Sequence, residues 1–384
     1  MNPKIFGQNK TGELVAISGV PGASHAFIPD PLPPSWRWPN ELWALLKDAS
    51  VALARLDEVG KYLPNPELLM SPLRHREAQQ SSRLEGTITP VKQQLLFEVE
   101  PKLPLSERDP ANEFREVANY KKALRLHEEL KDELPLSLRL IKGLHKALME
   151  GVRGANKEPG EFRRLPVQIG DPPRFIPPPA DQIANCLDLL EKSLHTGIMF
   201  DPLVDPFIYH YQFEAIHPFR DGNGRVGRLL LSILIEKLFK LSGQWLYMSG
   251  FFAATKEEYQ DRLLAISTNG DWSSWIEYCL RGVIIESEQS RERCSRLRAL
   301  VENYRKRIEG IDGHSRLSSI SDGLFNFPAI RITDVARNCD VSYPTAKKYI
   351  NQLVAIGILQ EFPDAKQKTY FAPDILAITH GEDA

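Results

Sequence analysis

Long apolar runs are missing from this 384-residue chain. The longest beside any motif, Leu229 to Ile235, is broken by Ser232 and falls far short of the ~20 residues a membrane helix needs, so a soluble chain without a membrane partner is expected. The N-terminal MNPKIFGQNKTGELV lacks a basic stretch followed by an apolar one, and no secretory signal is read. Cysteine is scarce. Cys186, Cys279, Cys294 and Cys339 stand 93, 15 and 45 residues apart, which suits neither a zinc site nor a disulfide framework; reduced thiols in a cytoplasm are the simplest reading. An excess of either charge is also lacking: 48 Lys and Arg face 50 Asp and Glu, a net of -2. No long-range field pulls the molecule onto a polyanion, and any such binding must be local.

What the chain has in excess is proline, 29 residues, above the ~5% of ordinary proteins. Seven lie in residues 1–40, which therefore read as an extended arm. Seven more (Pro159, Pro166, Pro172, Pro173, Pro177, Pro178, Pro179) frame the segment 160–176, GEFRRLPVQIGDPPRFI, whose two β-like runs around Gly170-Asp171-Pro172-Pro173 predict a hairpin. Elsewhere three-and-four spacing of apolar residues predicts helices: after Pro39, from about 66 to 85, at 91–100 behind a Thr89-Pro90 start, at 111–130, at 137–151, and from 181 through 282. A charged connector helix is expected from 286 to 308 and a boundary near 312, beyond which three short helices and a strand YFAPDI follow. The division expected is 1–110, 111–285, 286–312 and 313–384, in a mainly α protein.

The densest chemical cluster is His217-Pro218-Phe219-Arg220-Asp221-Gly222-Asn223-Gly224-Arg225-Val226-Gly227-Arg228. A glycine-bearing loop entering a helix presents unpaired backbone N–H groups and the positive end of the helix dipole, which together make an anion site. Gly222 and Gly224 allow close approach, and Asn223 can add an amide donor. Arg225 and Arg228, three apart in the first turn, can reach distal phosphates. Asp221 among phosphate donors argues for a bridging Mg²⁺. His217 is the natural general base. Taken singly, DGNG is a turn signal and two arginines are a solvated face; the joint pattern within twelve residues is what points to chemistry.

HPFRDGNGRVGR resembles, at every fixed position, the HPFxDGNGRxxR signature of Fic-domain proteins, which transfer AMP from ATP to a hydroxyl side chain of a target protein. The resemblance spans most of residues 65–285. It implies a Fic-type helical bundle with a β-hairpin flap, His217 as base for a target Tyr, Ser or Thr, Asp221 on Mg²⁺, and Phe219 as a buried anchor. Gly222, Asn223, Gly224, Arg225, Val226, Gly227 and Arg228 would surround the phosphates. Val167, Gln168, Ile169 and Gly170 look like the flap that holds the target segment by strand addition and closes over the nucleotide. Gly224, where the phosphotransferase branch carries Lys, favours adenylyl transfer. Tyr259 and Asn269 are the adenine-pocket candidates, with Gln260 departing from the family's two aromatics.

The stretch Ser81-Ser82-Arg83-Leu84-Glu85-Gly86 matches the family's inhibitory motif [ST]xxxE[GN], implying that Glu85 occupies Arg228 and keeps ATP out of line for attack. Some members also use this glutamate to remove AMP. The C-terminal Arg331 to Ile350 resembles a winged helix-turn-helix, with Ser342 capping the second helix and Pro344 in its first turn. Residues 314–384 hold seven Lys and Arg against eight Asp and Glu, poor for binding DNA, so a protein-docking or dimerising role is preferred to DNA. The rival reading is a winged-helix regulator whose Fic core senses nucleotide. Self-modification and homo-oligomer formation are left open.

Overall fold

The computed structural model describes residues 1–7, 11–61, 65–106, 108–131, 134–152, 158–363 and 365–381. Its centre is a helical hairpin. In α7 (Asp205–Ile216) every residue but Glu214 is buried, as in a helix with apolar neighbours on all sides. It runs into α8 (Asn223–Phe239), which buries an unbroken stretch from Arg225 to Ile235. The loop between them carries the HPFRDGNG sequence and is the point from which the rest of the fold is best followed.

Around this hairpin the chain lays down α1 (Leu42–Lys61), α2 (Glu67–Leu84), α3 (Val91–Val99), α4 (Ala111–Leu130), α5 (Leu138–Met149), α6 (Ile183–Leu194), α9 (Ser249–Ala254), α10 (Lys256–Asn269) and α11 (Trp272–Ile308). Local signals set many of the ends. Ser137 accepts from the Leu140 N–H to start α5, and Asp271 caps α11 through the Ser274 N–H. Gly86, in the left-handed region at φ 89°, follows the end of α2 as its sequence implied. At α3 the helix start shifts: Pro90 itself holds the N-cap position with extended backbone, rather than Thr89. Among the described residues no helix is long and apolar enough to cross a membrane.

Three expectations are corrected. Residues 1–40 are not a bare arm: β1 (Gly12–Ala16) and β2 (His25–Pro29) pair antiparallel, and Phe6 and Phe27 are buried against Phe175. The prolines flank these strands and leave their ladder intact. The segment 160–176 forms no regular two-stranded hairpin; a single bridge joins Ile169 and Phe175, because Pro166, Pro172, Pro173 and Pro177 have no N–H to extend it. Its far end is instead tied to β2 through the Phe27 N–H donating to the Ile176 carbonyl at 2.9 Å. Finally, the connector is no separate helix but the second half of the 37-residue α11, in which the seam residues Cys294, Leu297, Val301, Tyr304 and Ile308 are buried.

After Gly310 and Gly313 come α12 (His314–Asn326), β3 (Ala329–Arg331), α13 (Ile332–Asn338), α14 (Tyr343–Ala355), β4 (Gln360–Glu361), β5 (Thr369–Phe371) and α15 (Pro373–His380). Ser342 caps α14 with Pro344 in its first turn, as read from the sequence. The YFAPDI strand ends at Phe371, and Pro373 opens α15, a helix the sequence reading missed. The sheet order is β3-β5-β4, antiparallel. This module leans on the helices nearest the glutamate of interest: α12 and α15 pack on α2, and Leu95 of α3 joins a small core with Ala329, Phe362, Phe371 and Leu376.

Candidate active site

The α7–α8 loop is braced from both sides before it meets any ligand. Asn223 folds back on it, its Oδ1 accepting from the Phe219 N–H and its Nδ2 donating to the Phe219 carbonyl, both at 2.8 Å. The amide offered by sequence as a phosphate donor is therefore a loop staple, and what remains for an anion is backbone. Asn223, Gly224 and Arg225 occupy the first helical positions, where N–H groups have no intrahelical acceptor. Gly222 holds φ at 75° ahead of them, a conformation open to glycine. Phe219 is fully buried, stacked at 3.7 Å between ring centroids on His145.

His145 and Arg163 were not singled out by sequence, yet they fix the loop to its neighbours. The Gly160 N–H donates to His145 Nδ1 at 2.8 Å, so Nε2 carries the proton and donates to the Asp221 carbonyl at 3.0 Å. Burial holds this ring at a pKa of about 4. Arg163, 2% exposed, has no carboxylate partner among the described residues; its guanidinium donates to the carbonyls of His217 (2.8 Å), Pro178 (2.6 Å), Leu165 (3.2 Å) and Ile216 (3.4 Å). A cation on the last carbonyls of α7 suits the negative end of that helix.

His217 ends α7 in the left-handed conformation (φ 50°, ψ 61°), a strained position for a non-glycine residue. Its Nδ1 lies 3.3 Å from the Glu214 carbonyl, which places the proton there and leaves Nε2 as the basic nitrogen. Burial first, then the charge of Arg163, lower its pKa to about 4, so the ring is neutral at physiological pH.

A cavity of about 220 Å³ opens beside it, lined by Glu85, Ile169, Gly170, Glu214, His217, Gly224, Arg228 and Tyr259 among others. The sequence-predicted residues thus divide. Ile169 and Gly170 reach the cavity; Val167 and Gln168 do not, and Gln168 donates to the Gly170 carbonyl at 3.3 Å. Val226 points into the core, and Gly227 backs Glu214, where any Cβ would collide with that carboxylate. Tyr259 lines the wall, its hydroxyl 2.8 Å from His210 Nε2. Asn269, exposed at the end of α10, lies off the cavity, whose corresponding wall is Gln260, Leu263, Leu264 and Ser267. Those four face inward at helical spacing, a signal the sequence did carry.

The two arginines differ. Arg225 is buried 3.5 Å from Glu116 and 3.9 Å from Asp221, and its Nε and Nη1 make no hydrogen bond among the described residues. Arg228 is engaged through two of its nitrogens: Nε donates to Ser81 Oγ at 2.9 Å, and Nη2 donates to the Ser81 carbonyl at 2.9 Å and to Glu85 Oε1 at 2.7 Å. Gly224 makes this approach feasible, since a Cβ there would strike both Glu85 and Arg228. Burial disfavours the Glu85 charge, but the Arg228 guanidinium outweighs it and holds the carboxyl below its ordinary range. Asp221 precedes the α8 N-cap and does not line the cavity; its Oδ1 accepts from the Gly222 N–H at 2.7 Å.

Residues 43–127 match the model of the Fic/DOC family N-terminal region and residues 135–235 that of the Fic/DOC family. A probable protein adenylyltransferase of Aquifex aeolicus is 28% identical over 155 residues, 40% of this chain and 47% of that protein. A protein adenylyltransferase Fic of Aedes aegypti is 35% identical over 82 residues, 21% of this chain and 16% of that one. The matched region is thus less than half the length of either relative. A crystal structure of a Fic family protein from Desulfovibrio desulfuricans superposes with a TM-score of 0.56 at 21% identity, covering 88% of this chain and 98% of the other.

Proposed function

We propose that this chain, which belongs to the Fic/DOC family through residues 43–127 and 135–235, is a protein adenylyltransferase held in check by its own Glu85. The observation that carries the reading is the convergence on one cavity of a neutral histidine, a helix N-terminus and an arginine already occupied by a carboxylate. The target hydroxyl, of Tyr, Ser or Thr, gives its proton to His217 Nε2 as its oxygen attacks the α-phosphorus of ATP. The bond to the β-phosphate oxygen breaks, and pyrophosphate leaves. The α8 N-terminus, Arg225 and a released Arg228 stabilise the charge on the leaving group.

Asp221 fits a Mg²⁺ site as a part-exposed hard oxygen donor just ahead of the α8 N-cap, where phosphate oxygens would complete the shell. The ion would neutralise phosphate charge there. The flap segment 167–170 would dock the target through main-chain pairing beyond the single Ile169–Phe175 bridge, and self-modification is the simplest case of it. With Glu85 bound, Arg228 cannot take the distal phosphate, and ATP lies out of line for attack.

The test is covalent label. With α-labelled ATP and Mg²⁺, Glu85→Gly acquires label faster than wild type, and adding His217→Ala lowers that rate by roughly 10²–10⁴-fold. Retention of near-normal transfer in the double variant would refute the assignment of His217. For the C-terminal module we favour a protein-docking or dimerising role. Lys348 on α14 is bonded to Asp312 at 2.7 Å, and Arg331 and Arg337 are both paired with Asp334, leaving few cations for nucleic acid.

A further inference from the structure

Glu214 has no place in the scheme above, yet it is the one residue of α7 not fully buried, and it lines the cavity. It stands one helical turn before His217. Its Oε2 lies 3.9 Å from His217 Nδ1, and its Oε1 is buried with no hydrogen-bond partner among the described residues. Room for that carboxylate is made by Gly227, whose missing Cβ it fills. An unpartnered buried carboxyl oxygen is costly to keep, and here it is kept beside the imidazole.

We propose that Glu214 is the positioning residue of the base: its carboxylate takes the hydrogen bond of His217 Nδ1–H, holding the ring with Nε2 toward the cavity and balancing the imidazolium formed during transfer. The inference rests on the adenylyl-transfer reading for its catalytic consequence, though not for the pairing itself. The present acceptor of Nδ1, the Glu214 main-chain carbonyl, is long at 3.3 Å, and Oε2 of the same residue stands 3.9 Å away as the alternative acceptor. Once His217 has taken the hydroxyl proton, it carries a positive charge beside a second cation, Arg163. A carbonyl dipole is a weak counterweight to two cations, whereas a carboxylate on Nδ1 is a strong one.

The groups facing the pair are few. Arg228 from α8 favours the Glu214 charge, and Glu85 from the end of α2 opposes it. Tyr259 comes from α10. Facing His217 are Arg163, Glu85 and Asp221. Burial, partly offset by Arg228, raises the Glu214 pKa to about 7, which brings its titration into a convenient range.

Two measurements on the full chain test the proposal. With ¹⁵N-labelled histidine, the His217 Nδ1 resonance should move with a midpoint near 7, reporting ionisation of its neighbour. That movement should vanish in Glu214→Gln and persist in Glu214→Asp at a displaced midpoint, the shorter acid also serving if the glutamine variant fails to fold. The same titration in Glu214→Gln as in wild type, or none in wild type, overturns the proposal. In the Glu85→Gly background, Glu214→Gln should lower kcat roughly tenfold, with KM for ATP within about twofold and the acid limb of the pH profile moved to lower pH. A raised KM at unchanged kcat overturns it too, because the carboxylate would then contact nucleotide. If Glu85→Gly itself transfers no AMP while the resonance titrates as described, the adenylyl-transfer reading fails and the Glu214–His217 pairing stands.

Discussion

Replacing Glu85 is the perturbation that bears most directly on regulation. Arg228 is held by three bonds, of which two go to Ser81 and one to Glu85. Removing the carboxylate therefore frees the guanidinium's charge without freeing its position. A fully buried ion pair would leave about 3–5 kcal/mol behind on losing one partner. Glu85 keeps 39% of its side-chain surface exposed, against 3% for Arg228, so the smaller figure for a charge-assisted hydrogen bond, about 1.5–3 kcal/mol, applies. That is the free energy a γ-phosphate no longer has to overcome. At about 1.4 kcal/mol per decade it corresponds to a rise of roughly 10- to 150-fold in transfer at subsaturating ATP. The backbone at position 85 has φ -85° and ψ 4°, accessible to any residue, so Glu85→Gly and Glu85→Ala should both fold and agree. Initial rates of label incorporation from α-labelled ATP measure the effect. Unchanged or slower transfer in both variants refutes the reasoning.

Other consequences follow from the same contacts. Arg163→Met strips a buried cation from four carbonyls, two at the end of α7 and two in the segment around Leu165 and Pro178, and should cost about 2–4 kcal/mol, read as a drop of several degrees in the thermal midpoint; a midpoint unchanged within a degree contradicts it. Acid should destabilise the fold. The pKa values of His145 and His217 are depressed to about 4, and those of His210 and His380 to about 3. The unfolded chain therefore binds more protons at these sites below pH ~6.5, and their contribution is lost as pH falls from there toward 4. Glu77 and Glu214, raised to about 7, act in the opposite sense but are fewer, so thermal midpoints from pH 7 to 5 should decline; a rise would contradict the balance. Duplex DNA should show no salt-sensitive shift with this protein near 150 mM salt, and a shift abolished by Lys347→Ala/Lys348→Ala would overturn the preference for a protein partner.

Much of the scaffold was legible because its signals are local. Helical periodicity and caps located α2, α4 and α5 to within a residue or two and the start of α14, and the loop motif led to the site. What was not legible depends on distance along the chain. His145 and Asp221 are 76 residues apart, and Arg163 and His217 are 54; neither pair leaves a trace in spacing. Glu214 was passed over because one acid within an apolar helix reads as an exposed position, and only the fold shows that Gly227 makes room for it. Asn223 was assigned outward because an amide in a glycine loop suits phosphate, whereas here it satisfies the buried backbone of Phe219. The arm was misread because proline density outweighed the short apolar runs in Gly12–Ala16 and His25–Pro29, and the flap because its β-like runs outweighed proline.

The near-zero net charge and the heavily charged site are two aspects of one arrangement. Arg163, Arg225 and Arg228 are buried around a single loop, and each meets its desolvation cost differently: Arg163 on carbonyls, Arg225 incompletely, beside Glu116 and Asp221, and Arg228 on Ser81 and Glu85. Arg225 is buried and off the cavity, whereas Arg228 lines it, so on the proposed reading the first phosphate contacts fall to the α8 N-terminus. Arg228 can follow only when Glu85 leaves. Glu85 ends α2, and that helix is gripped on its far side by α12 and α15, with Ser71 Oγ donating to the Asn326 carbonyl at 2.8 Å. On the proposed reading, nucleotide docks on the α8 N-terminus with the glutamate still in place. On that reading, the step that makes it reactive would be exchange of one carboxylate for one phosphate on Arg228, at the end of a helix on which α12 and α15 pack.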